Sequence, residues 1–413
     1  MSGKYIPGLF EGYGLELEYM IVRSDTLDVF PVADLLLKGA AGKVTNEFDA
    51  GLIGWSNEFA LHVIEFKTNG PVTSLVKLEE AFQKEITRAN HLVSREGGRL
   101  MPTAMHPWMD PALETRLWPH QNRTIYDTYS RIFNSQGHGW SNIQSTHLNL
   151  AFRTDDEFHR LHAAIRLLLP LLAALGASSP VAEGRLTGFL DSRLTYYAGN
   201  QRRIPSIAGN IVPESVSSMS EYEERILKPM YLDIAPHDPG GVLQEEWLNS
   251  RGAIARFDRM AIEIRVLDVQ ESPLADVAIA CAIVEAIRML ARESWGALKS
   301  QSEFPLERLL PIYQETMRHA EKAIIRDTDY LALFGLADEN LTAGELWSHI
   351  LEHSRFYALG DASLGAAMKT ILAKGPVARR MLNTLGSEPS RERLVEVYGV
   401  LCDCLRTGTL FLD

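Results

Sequence analysis

The stretch "GLELEYMIV", residues 14–22, decides the fold class. Leu15, Leu17, Tyr19 and Ile21 alternate with Glu16, Glu18, Met20 and Val22. A period of two is that of a β-strand with one apolar face. The other face opens with Glu16 and Glu18 side by side. A solvated outer face also carries such pairs, so the meaning of this one depends on the other strands.

Three further stretches share its character. Residues 58–67, "EFALHVIEFK", read as a strand with Glu65 within it and Glu58 seven residues earlier, at its beginning. Residues 145–152, "STHLNLAF", place His147 and Asn149 at period two. Residues 259–269, "RMAIEIRVLDV", put Ala261, Glu263 and Arg265 on one face and Ile262, Ile264 and Val266 on the other. Each strand has an apolar side and a side of carboxylate, imidazole or guanidinium groups. If the strands share a sheet, the polar sides converge.

Carboxylates gathered on one face repel unless a cation joins them. Mg²⁺ prefers carboxylate oxygens and commonly shares its shell with substrate phosphates. A neutral imidazole can complete such a shell, and an arginine among the acids suits a phosphoryl oxygen. The residue chemistry therefore suggests magnesium-dependent phosphoryl transfer. Neither a G-x-x-x-x-G-K-[ST] loop nor a G-x-G-x-x-G turn occurs, which excludes a P-loop or dinucleotide fingerprint.

Bulk properties narrow the class. The chain has 413 residues, 46% hydrophobic and 23% charged, as expected of a globular protein. Its formal net charge of −12 argues against a nucleic-acid partner. Three cysteines, Cys281, Cys402 and Cys404, are too few for a disulfide framework, and the C-x-C pair reads as small residues on a terminal helix. The opening "MSGKYIPGLFEGYG" shows no signal-peptide pattern. The most apolar run, 167–177, contains Pro170 and falls short of the roughly 20 residues of a bilayer span. The expectation is a cytoplasmic protein without membrane contact.

Helices are expected at 76–97, at 156–175 with a bend at Pro170, and at 274–296, 306–326, 343–354, 362–373 and 390–405. Residues 180–255 are rich in Gly, Pro, Ser and Arg and read as long loops with short elements. The organisation expected is one α+β catalytic domain over 1–413, its sheet motifs within 10–270 and its remainder, 274–413, mostly helical.

With these motifs assembled, the sequence resembles the glutamate–cysteine ligase and carboxylate–amine ligase family. The likeness is carried in order by "GLELEY" (14–19), "NEFALHVIEFKT" (57–68), "MPTAMHPW" (101–108), "STHLNLAF" (145–152), "LGASSPVAEGRLTGFLDSRL" (175–194), "IVPESVSSMSEYEE" (211–224) and "ARFDRMAIEIRVLD" (255–268). It fades after about residue 300. The resemblance implies a glutamine synthetase-like fold, a curved antiparallel sheet of about six strands whose concave face is an active-site funnel with helices outside. It also implies that Glu16, Glu18, Glu58, Glu65, His147 and Glu263 hold Mg²⁺ or Mn²⁺. Arg265 would contact ATP phosphates, and Arg193, a looser match, would hold the substrate carboxylate or the transferred phosphate. Asn149 and Arg256 join them as candidate ATP- or substrate-binding residues.

The implied reaction uses ATP to phosphorylate a carboxylate, typically the γ-carboxylate of glutamate, which an amine such as cysteine then attacks. The partners are small molecules; a homo-oligomer is left open. The middle departs from a plain glutamate–cysteine ligase: Arg202 and Arg203 stand in "YYAGNQRRIPSIAGNIVPES" (196–215), either in a solvated loop or in a substrate-binding lid. Arg251 and Arg256 are further candidates for the cleft. Two other readings stay open, a guanidino-kinase-like phosphotransferase and a non-catalytic metal- or nucleotide-binding protein of the same fold.

Overall fold

The structure is a computed structural model, and it describes residues 5–337 and 340–412. Its centre is β1, Tyr13–Arg23, the strand that opened the sequence. Glu47–Asp49 (β2), Ile53–Asn57 (β3), Val63–Thr68 (β4), Gly98–Met101 (β5) and Ser145–Ala151 (β6) follow. A short hairpin of Val181–Ala182 (β7) and Arg185–Leu186 (β8) stands apart. Ala253–Arg256 (β9) and Ala261–Asp268 (β10) return to the sheet. The main sheet has eight strands in the order β2-β3-β4-β1-β6-β10-β9, with β5 paired to the far end of β1. All of its pairings are antiparallel.

Register puts the polar positions on one face. Glu16 stands opposite both His147 and Lys67, Glu18 opposite Glu65, Glu65 opposite Ser56, and Glu263 opposite Asn149. Residues directly opposed across strands share a face of the sheet. The alternate positions, Leu15, Leu17, Tyr19, Trp55, Phe66 and Leu148 among them, form the buried face. Each such side chain removed from water contributes about 1.5–3 kcal/mol.

Helices cover that apolar face. Leu78–Ser94 buries Phe82, Ile86, Ala89 and Val93, spaced to lie on one stripe. Asp155–Leu168 is capped by Thr154, whose hydroxyl accepts from Glu157 N, and it passes into a 3₁₀ turn at Leu169–Leu171, where Pro170 cannot continue the ladder. Pro273–Ala291 is buried on nearly all sides and packs against both. Beyond it lie Leu306–His319, Ala343–His353, Ala362–Lys374, Val377–Leu385 and Arg391–Thr407, with one small hairpin, Ile324–Ile325 (β11) and Leu341–Thr342 (β12). Cys402 and Cys404 are buried on the last helix. Among the described residues, no helix is long and apolar enough to cross a membrane.

Two strand expectations change. The stretch 58–67 is not one strand: 58–62 connect β3 to β4, and Val63 N donates to Ala60 O at 3.0 Å to close a turn. Glu58 therefore sits in the connection and not on a strand. The sheet is also larger than the six or so strands expected, because β2 and β5 are too short to show a period. The helix expected at 390–405 is found at Arg391–Thr407, and Val377–Leu385 before it is a helix the sequence pattern did not suggest.

Strand β10 carries one irregularity. Between Ile264 and Leu267 it advances three residues while β6 recedes two, Leu148 to Thr146. The extra residue is a β-bulge, which re-aims whatever follows. Asp268 thus comes to lie opposite Ser145, on the polar face that Glu263 shares.

Candidate active site

The polar face floors two adjoining cavities. One, of about 450 Å³, is lined by Glu16, Glu65, Lys67, Arg256, Arg259 and Glu263. The other, of about 360 Å³, has aromatic walls of Phe59, Tyr126, Tyr129, Trp140, Tyr197 and Trp247, with Arg193 at its edge. Glu18, Glu58, His147 and Arg265 line both, so the cavities open onto one shared cluster.

Within that cluster, Glu16, Glu65 and His147 offer ligand atoms that all lie within 4.8 Å of one another. Glu18, Glu58 and Glu65 do the same, and Glu65 belongs to both groups. Four carboxylates with one imidazole are hard oxygen donors plus a borderline nitrogen, a set that fits Mg²⁺ or Mn²⁺. Glu263 falls outside both groups. Its oxygens lie 3.0 Å from Arg265 Nε, 3.3 Å from Arg256 Nη1 and 3.9 Å from His147 Nδ1.

Hydrogen bonds aim the donors. Ser145 Oγ lies 2.8 Å from His147 Nε2, and Glu16 Oε2 lies 3.3 Å from Nδ1. Ser145 N donates to Glu18 Oε2 at 2.8 Å, Asn149 Nδ2 to Glu16 Oε1 at 3.1 Å, and Ser56 Oγ to Glu65 Oε1 at 2.6 Å. Asn149 thus orients a candidate metal ligand.

Charge is distributed unevenly. Burial pushes the Glu58 carboxyl well above the ordinary range, and the charges of Glu18 and Glu65 push it the same way. Glu18 is raised too, by burial first, with His147 opposing and Glu65 adding. Burial also acts on Glu16, but its hydrogen bond to His147 and the charges of His147 and Lys67 hold it below the ordinary range. Glu263 is held down against its burial by Arg265, His147 and Arg256. Burial disfavours the His147 imidazolium, yet Glu16, Glu18 and Glu263 together raise it. Carboxylates that resist ionisation together are what a cation would relieve.

The structure brings together Glu16, Glu18, Glu58, Glu65, His147, Glu263, Arg256, Arg265 and Arg193 around the two cavities, and Asn149, which lines neither, reaches the cluster through its hydrogen bond to Glu16. It does not bring Arg202 and Arg203, which are exposed and line neither cavity; Arg203 Nη1 donates to Ile132 O at 2.9 Å. Arg251 is bound bidentately by Glu214 at 2.6 and 2.8 Å and lines neither cavity. Lys67 escaped the sequence reading. Its Nζ lies 3.1 Å from Glu65 and 3.4 Å from Glu47, and its position two residues after Glu65 was the available signal. The aromatic walls escaped it as well, because they come from separated segments with no shared local pattern.

Known proteins resemble the chain in sequence and in fold. The family model described as glutamate–cysteine ligase family 2 matches residues 13–398. An "Uncharacterized protein" of Archaeoglobus fulgidus is 34% identical over 399 residues, covering 97% of this chain and all of that one. A glutamate–cysteine ligase from Francisella tularensis, solved in complex with AMP, superposes with a TM-score of 0.62 at 10% identity, over 98% of this chain and 90% of that one. A bifunctional glutathione synthetase from Pasteurella multocida gives a TM-score of 0.54 at 16% identity, over 95% of this chain and 53% of that one. At these identities the solved structures speak for the fold alone. The match across nearly the whole chain assigns it: the protein belongs to glutamate–cysteine ligase family 2.

Proposed function

We propose that the protein is an ATP- and Mg²⁺-dependent carboxylate–amine ligase. It phosphorylates a carboxylate, the γ-carboxylate of glutamate, and joins the acyl phosphate to an amine such as cysteine. The observation that carries the reading is the pair of donor groups sharing Glu65, set between a cavity with three arginines and a cavity with aromatic walls. Family membership and the AMP-bound neighbour support the use of a nucleotide.

Glu16, Glu18, Glu58, Glu65 and His147 would hold Mg²⁺. When bound, the ion supplies neutralisation of phosphate charge. The chain's own groups do the rest. Arg265 and Arg256, each already paired with Glu263, present guanidinium groups to phosphoryl oxygens. Arg193 receives the anionic end of the acid. The ring faces of Tyr126, Tyr129, Trp140 and Trp247 keep water from an acyl phosphate, which would otherwise hydrolyse before the amine arrives. No side chain needs to form a covalent intermediate, and the three cysteines are buried away from this cluster.

The test is ADP release from Mg-ATP with L-glutamate and a panel of amines that includes cysteine, with product masses read in parallel. ADP that requires both partners, with a condensed product, is the expected result. ADP with a phosphorylated guanidino product and no amide would replace this reading with phosphotransfer.

A further inference from the structure

The serines of "ASSP" (177–180) and the aspartate that ends "EIRVLD" (263–268) meet in space around one arginine. Asp268 is 1% exposed, and both its carboxylate oxygens are engaged. Oδ1 accepts from Arg193 Nε at 2.6 Å. Oδ2 accepts from Ser178 N at 2.9 Å and from Ser179 Oγ at 2.7 Å. Ser179 Oγ accepts in turn from the backbone N of Arg193 at 3.1 Å. Main chain and side chain of Arg193 are thus fixed by the same two residues. Its Nη2 donates to Arg265 O at 3.3 Å, and the side chain lines the aromatic-walled cavity beside Glu18, His147 and Arg265.

A buried ion pair is not by itself a stabilising feature. Taking a guanidinium and a carboxylate out of water costs about as much as their attraction returns, and apolar side chains would fill the space as well. What the pair does supply is a cation of fixed orientation at the cavity, held by groups that are themselves locked. The β10 bulge makes it possible. Without the extra residue, Asp268 would turn to the helix-covered face.

We propose that Asp268 is a positioning residue. With Ser179, it holds the Arg193 guanidinium in the orientation that meets the anionic end of the acid substrate or of its phosphorylated form. The inference rests on the ligase reading above and adds to it the group that sets Arg193.

The experiment compares Asp268→Asn and Ser179→Ala with the wild type in ADP-release kinetics, and adds Arg193→Ala with guanidinium chloride below unfolding concentrations. Both positioning variants should raise KM for the acid, or lower kcat, by about ten- to a hundredfold. KM for ATP should stay within about twofold, a split that general destabilisation would not produce. Free guanidinium should restore activity to Arg193→Ala but not to the Arg193→Ala/Asp268→Asn double variant. If Asp268→Asn does not fold, Ser179→Ala decides, since it removes one hydroxyl and no charge. Unchanged kinetics in a folded variant, or equal rescue with and without Asp268, overturns the positioning role while the ligase stands. A wild type that releases no ADP with any acid and amine overturns the ligase reading, and this inference with it.

Discussion

Glu16 and Glu58 carry their charge at different cost, although both face the same cluster. Glu58 is pushed up by burial and by its like-charged neighbours, whereas Glu16 is held down by His147 and Lys67. The sign follows from linkage. A carboxyl held below its unfolded value adds stability above that value, so at pH 7.5 Glu16→Gln should lower the melting temperature of the metal-free protein. A carboxyl raised in the folded state costs stability once ionised, so Glu58→Gln should leave the melting temperature within about 3 °C of wild type or raise it. Both changes should abolish turnover. Calorimetry with chelator and ADP release read the two effects separately. Normal turnover in either variant would remove that residue from the site.

At the scale of elements, the helix Pro273–Ala291 is tied to the sheet through a buried acid. Asp276 Oδ1 accepts from Thr146 Oγ1 of β6 at 2.6 Å and from Gln270 N at 3.1 Å. Burial is the largest influence on it and raises its carboxyl to about 8. An acid raised in the folded state is most stabilising while protonated, below its unfolded value of about 3.9, and that contribution is lost as pH climbs through the folded value. Melting temperature should therefore fall between pH 6 and pH 8 more steeply in wild type than in Asp276→Asn, whose amide keeps an acceptor and does not ionise. Parallel pH profiles would show that this carboxyl does not govern the junction. The bulge in β10 acts at the same scale: one inserted residue lets a single strand present Glu263, Arg265 and Asp268 to the site.

For the whole molecule, the sheet is the device that gathers Glu16, Glu18, Glu65 and His147 into one cluster and sets Glu263 beside it. A ligand bound only by the folded state raises its stability, by about 2.7 kcal/mol at a hundredfold excess over Kd. Mg²⁺ should accordingly raise the melting temperature of the wild type by several degrees. Glu65→Gln should remove most of that rise, since Glu65 serves both donor groups. An equal rise in the variant would place the ion elsewhere.

Much of this arrangement was legible in the sequence, and the illegible part has physical reasons. Strands β1, β6 and β10 announce themselves because one face of each is apolar at period two. β3, "IGWSN", hides because its five residues put only Ile53 and Trp55 on the apolar face before Asn57 ends the pattern. Glu58 reads as the beginning of a strand because "EFALHVIEFK" is one mostly apolar run, but Phe59 packs against Tyr126 and Trp140 at the cavity wall instead of joining the ladder. The hold of Asp268 on Arg193 depends on a bulge that no local spacing encodes. Candidate ligands at period two on strands could be read; walls and supports assembled from distant segments could not.

The central claim is that a carboxylate is activated as an acyl phosphate, and hydroxylamine tests it most directly. With Mg-ATP, L-glutamate and hydroxylamine in place of the amine, the protein should form the hydroxamate in step with ADP, and Arg265→Ala should form neither. ADP released without hydroxamate, across the acids tried, would contradict the account and leave the cluster to serve another phosphoryl transfer.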